Sequence, residues 1–76
     1  MSSQRIEVVS YAGYRDQESP RSFTVNGEKV EVNRILERWI EETQDRERKR
    51  FFRVTGNDGY TYTLFCEEKS GHWYIK

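Results

Sequence analysis

The hydrophobic positions of this chain alternate with a period of two along much of its length, the spacing of strands with one buried face. Phe23 and Val25 lead into Asn26-Gly27, and Val30 and Val32 follow it. Asn-Gly between two alternating runs is a strong hairpin signal, because both residues accept the positive φ of a type I′ turn. A two-residue loop opposes Val25 to Glu28 and Phe23 to Val30, which gathers Phe23, Val25, Val30 and Val32 on one face. A second hairpin centres on Gly56-Asn57-Asp58-Gly59. A three-residue Asn-Asp-Gly loop with Gly59 left-handed opposes Val54 to Tyr62 and Phe52 to Leu64; a four-residue loop would set Phe52 and Val54 against threonines. Parity therefore selects the three-residue loop.

Residues 5–11 form a first strand in which the alternation slips from Ile6/Val8 to Val9/Tyr11. The slip predicts a bulge near Val8-Val9 or a strand covered on both faces. Lys69-Ser70-Gly71 turns into a last strand from His72 to Lys76. A two- or four-residue loop sets Trp73 and Ile75 beside Leu64 and Cys66, a three-residue loop sets Tyr74 there, and hydrophobic bulk favours Trp73 and Ile75. Phe51, Phe65 and Tyr74 then fall on the opposite face, so the sheet has no cleanly polar side.

The middle of the chain changes period. Ile35, Leu36, Trp39 and Ile40 recur at i, i+1, i+4 and i+5 behind Asn33, a good N-cap. This predicts a short amphipathic helix over about 34–43 that lids the sheet, with Glu37, Arg38, Glu41 and Glu42 toward water. Segments 15–22 and 44–49 read as polar loops and 1–4 as a flexible tail, and Pro20 keeps Ser19 extended. The expected fold is α+β and mainly β. It is a strongly curled antiparallel sheet or small open barrel of five to six short strands, with the one helix between its halves.

Seventy-six residues leave room for one domain, expected over 1–76. Hydrophobic residues are only 34%, matched by 34% charged residues, but 14% of the chain is aromatic. Large rings supply apolar area that the short aliphatic tally lacks. Lys+Arg and Asp+Glu number 13 each, a balance that argues against a dedicated non-specific nucleic-acid binder. The longest apolar runs are three residues, Leu64-Phe65-Cys66 and Trp73-Tyr74-Ile75, against the roughly 20 needed for a membrane helix. No membrane partner is expected. A polar N-terminus without a cleavage site and a single cysteine, Cys66, point to a reducing cytoplasm.

Catalytic chemistry finds little support. Cys66 sits mid-strand in phase with Tyr62 and Leu64 and reads as a buried small hydrophobe; a nucleophile would need exposure beside His72, the only histidine. One cysteine and one histidine make no metal site of familiar spacing, and no cofactor is expected. The loop Gly56-Asn57-Asp58-Gly59 lacks the Lys-Ser/Thr of a phosphate-binding loop. Two surface groupings remain. Tyr11, Tyr14 and Arg15, with the outward rings Phe51 and Phe65, have the composition of a protein contact. Arg46, Arg48, Lys49, Arg50 and Arg53, beside Phe51-Phe52, mix cations and rings as single-stranded nucleic-acid sites do, although Glu41, Glu42 and Asp45 precede them.

Several stretches together carry a family resemblance. They are Pro20-Arg-Ser-Phe23, the Val-Asn-Gly turn, the Val30–Trp39 segment, Arg50-Phe-Phe-Arg-Val54, Asp58-Gly59 and the closing His72-Trp-Tyr-Ile75. The chain resembles an uncharacterised family of small bacterial cytoplasmic proteins, some of whose members are related to segments associated with Y-family translesion DNA polymerases. The resemblance implies a compact domain and a DNA-repair accessory role, and carries no catalytic residue. The functional expectation is a small non-enzymatic domain that binds another protein. The alternative is a single-stranded nucleic-acid-binding accessory protein linked to DNA repair. Monomer and strand-paired homodimer both fit the sequence.

Overall fold

The turns set the registers. Asn26 and Gly27 adopt φ of 52° and 80°, and Val25 faces Glu28 while Phe23 faces Val30. Gly59, at φ 89°, closes the hairpin that pairs Val54 with Tyr62 and Phe52 with Leu64. The last hairpin pairs Leu64 with Ile75 and Cys66 with Trp73.

The computed structural model describes residues 3–11 and 19–76. Its strands are β1 (Gln4–Tyr11), β2 (Ser19–Val25), β3 (Glu28–Glu42), β4 (Arg48–Gly56), β5 (Thr61–Glu67) and β6 (Trp73–Ile75). They run in chain order around a closed antiparallel barrel, so the fold is an all-β barrel rather than an open sheet. β1 makes the closure by serving two neighbours: Gln4–Ile6 pair with β6, and Glu7–Tyr11 pair with β2. The register of β1 with β2 shifts between Val9 and Ser10, where Arg21 is the extra residue on β2, while β1 itself keeps alternating and points Val9, 59% exposed, outward. Pro20, with no N–H to give a ladder, lies opposite Ser10 beside that shift.

Phe23, Val54 and Leu64 fill the barrel centre, ringed by Ile6, Val30, Phe52, Cys66 and Trp73. Aromatic bulk does much of the filling. Phe52 and Trp73 approach to 5.5 Å between centroids, and Phe23 meets Tyr62 edge-on at 5.0 Å.

No helix forms among the described residues, which corrects the expectation for about 34–43. That segment is the distal part of β3, a strand of 15 residues and the longest among those described. Its register with β4 shifts between Val32 and Arg34 and again between Ile35 and Glu37. Each bulge resets which side chains face inward. Ile35 therefore opposes Val54 on the core side, while Trp39 opposes Phe51 on the outer side. The apparent helical stripe is an alternating strand with bulges in it. The strand prevails because β4 offers a matched ladder: Glu37 faces Arg53, Glu41 faces Lys49 and Glu42 faces Arg48. A helix here would also strip β4 of a neighbour along its whole length.

Other boundaries move for the same reason. Ser19–Ser22, read as loop, belong to β2, and Arg48 and Lys49 belong to β4. Gln4 opens β1 against Ile75. The β3–β4 connection shrinks to Thr43–Glu47, held by Thr43 N–H donating to the Glu47 carbonyl at 2.8 Å, with Arg46 at φ 63°.

Candidate protein-binding edge and aromatic row

A second apolar layer stands on the outside of the barrel. Trp39, Phe51, Phe65 and Tyr74 lie in register on four successive strands. Their rings stack in turn at centroid distances of 5.2, 5.0 and 5.1 Å and interplanar angles of 10°, 29° and 18°. Phe51 and Phe65 thus face outward, yet they are only 4% and 6% exposed. Lys76 Nζ lies 5.5 Å from the Phe51 centroid and Lys49 Nζ 5.2 Å from that of Phe65, so cations cap the middle of the row. Within the row each inner ring has a ring on both sides. Its ends are Tyr74, which faces Arg5 in the β1 register, and Trp39, on the outermost strand of this face.

The basic run does not gather into one patch. Successive strand residues point to opposite faces, so Lys49 and Arg53 share the Phe51 side and Arg48 and Arg50 the other. Acids oppose them. Arg50 Nε donates to Glu68 Oε2 at 2.8 Å, and Arg53 pairs with Glu37 at 2.9 Å. Arg48 faces Glu42, and Lys49 lies between Glu41 and Glu67 in the ladder. Arg46 sits in the β3–β4 turn. With Asp45, Glu47, Arg48, Glu68 and Lys69 it lines an open depression of about 360 Å³ whose wall carries both signs of charge.

Of the first candidate grouping, Tyr11 ends β1 with its backbone opposite Ser19, and Tyr14 and Arg15 lie outside the described residues. Cys66 is 7% exposed and belongs to the core cluster, while His72 is on the surface. Among the described residues no group of three or more His, Cys, Asp or Glu is placed to hold a metal ion. Among them, too, no helix is long and apolar enough to cross a membrane.

The hairpin tip of β4–β5 holds the perturbed titrating groups. Asp58 accepts a hydrogen bond from the Tyr62 hydroxyl at 2.6 Å and from the Tyr60 N–H at 3.0 Å, which holds its carboxyl below the usual range. The same bond to an anion pushes Tyr62 up to about 12. Asn57 ties this tip to β3, donating its N–H to the Glu31 carbonyl at 2.8 Å and accepting from the Glu31 N–H at 3.3 Å. These contacts explain the turn without a ligand.

A feature absent from the sequence reading is the outer margin of β3. β2 pairs with it only over Glu28–Glu31. From Val32 to Glu42, among the described residues, β3 has a hydrogen-bonded strand on the β4 side alone. This margin carries Leu36, 45% exposed, and Ile40, 53% exposed, beside the half-buried Trp39. Their hydrophobicity was visible in the sequence as a helical stripe, and the strand conformation places it on a margin with no second strand neighbour among the described residues. Neither the family models, nor the curated proteins, nor the solved structures contain a match to this chain.

Proposed function

We propose that this protein is a small non-enzymatic domain that works by binding another protein along the open edge of β3. The observation that supports it is the Val32–Glu42 margin, where strand backbone without a second strand neighbour among the described residues runs beside exposed Leu36 and Ile40. Such an edge accepts a strand from a partner: main-chain hydrogen bonds supply affinity and alternate side chains supply selectivity. The burial of Cys66 in the core cluster is the setting of a small hydrophobe rather than of an exposed thiolate nucleophile.

The nucleic-acid alternative has less support. Stacking of bases needs open ring faces beside unopposed cations. Here Phe51 and Phe65 have rings on both sides, and Arg50 and Arg53 are engaged by Glu68 and Glu37.

A photo-crosslinking residue at Ile40, with a second placed at exposed Glu28 as a control, tests the edge in cells producing the protein. Protein adducts from position 40 and none from position 28 are expected. Absence of any protein adduct from position 40 overturns the proposal.

A further inference from the structure

We infer that the partner strand on this edge is β3 of a second copy of the same chain, paired antiparallel about a two-fold axis at Ile40. The inference rests on the edge-binding reading and specifies its occupant. Two-fold pairing opposes residues that share a sheet face, so the axis must pass through a residue of the regular stretch 37–42, beyond the bulges. Centring on Glu37, Arg38, Glu41 or Glu42 sets a charge against its own copy. Centring on Trp39 sets Glu37 against Glu41. Like charges directly opposite each other destabilise a sheet, which removes these registers.

Ile40 alone gives a complementary set. Ile40 meets Ile40 of the second copy, which covers a side chain now 53% exposed. On the same face Arg38 meets Glu42 of the second copy, twice by symmetry. On the other face Trp39 meets Glu41 of the second copy, the same donor and acceptor that already bond within one strand at 2.9 Å. That register also sets the two Trp39 residues diagonally across the axis, within reach of aromatic side chains. The rows Tyr74-Phe65-Phe51-Trp39 of the two barrels then approach end to end.

The test uses the purified full chain and two single variants, Arg38→Glu and Glu42→Arg. The wild type is expected to have twice the chain mass in sedimentation equilibrium, and each variant, with like charges opposed, to lose the dimer. In an equimolar mixture a mixed dimer sets the two acids of one variant against the two arginines of the other, at both crossings of position 38 with position 42. The mixture is therefore expected to regain the dimer. Restoration by mixing is a gain that misfolding does not imitate. Hydrogen exchange of the wild type supplies a second measurement, with amides of 38–42 losing protection on dilution through dissociation. A dimer that survives both variants, or protection of 38–42 that ignores dilution through dissociation, overturns the inference. A monomeric wild type that still crosslinks other proteins from position 40 overturns self-pairing and leaves the edge reading standing. A monomer without crosslinks overturns both.

Discussion

The Tyr62 hydroxyl donates to the Asp58 carboxylate at 2.6 Å, joining the start of β5 to the turn that precedes it. Each residue moves the other's titration in the direction that preserves the bond. Asp58 is held below its ordinary 3.8, and Tyr62 is raised from 10.0 to about 12.

The stability contributed by this pair therefore has two limits. Lowering of Asp58 stabilises the fold fully above pH 3.8, and that contribution is lost as pH falls through the depressed folded value. Raising of Tyr62 stabilises it fully below pH 10.0, and that contribution is lost as pH rises through about 12. Urea titrations of wild type and Tyr62→Phe across pH are expected to differ most between those limits and to converge outside them. A constant difference at all pH values would contradict the assignment.

Gly56 is required where β4 passes β3. A Cβ placed there would lie 2.6 Å from Val30 Cγ1 and 2.7 Å from Asp58 Oδ1. Gly56→Ala is expected to cost about 1–3 kcal/mol through overpacking at a buried crossing. Chemical denaturation measures it, and Gly56→Ala combined with Val30→Ala is expected to recover part of the loss.

The two middle rings of the outer aromatic row, Phe51 and Phe65, have the burial of a core without belonging to the barrel interior. Phe51 is 4% exposed between Trp39 and Phe65, beneath Lys76. Truncation to alanine is expected to cost about 3 kcal/mol, in the range of interior phenylalanines. A loss under about 0.5 kcal/mol, typical of a surface site, would show that the row is not a structural layer.

The opposed cations predict weak behaviour toward nucleic acid. Retention of the protein on immobilised single-stranded DNA is expected to be negligible at physiological salt and unchanged by charge reversal at Arg48 and Arg50. Salt-sensitive retention that falls on reversal would revive the alternative function.

Particular residues show where local reading succeeded. Asn26, Gly27 and Gly59 identify their turns because positive φ is a local property of the backbone, and a turn together with alternation leaves one register for its flanking strands. The outward placement of Phe51 and Phe65 follows from the same parity, whereas the inward placement of Trp73 and Ile75 rests on hydrophobic bulk, because their turn allows more than one register. The open edge was not legible, because its apolar residues were assigned to a helix. Ile35, Leu36, Trp39 and Ile40 satisfy a helical period as well as a bulged strand, and no local rule distinguishes the two.

Local patterning was enough for two hairpin registers, for the inner and outer faces of β4 and β5, and for an aromatic answer to a thin hydrophobic content. Only the assembled barrel makes residues 32–42 extend along β4, closes β1 against β6, and brings four outward rings into one row. Those outcomes depend on pairings between residues distant in the chain. The free energy of a ladder such as Glu37–Arg53, Trp39–Phe51 and Glu41–Lys49 exists only once both strands are present, so it outweighs a local preference that cannot register it.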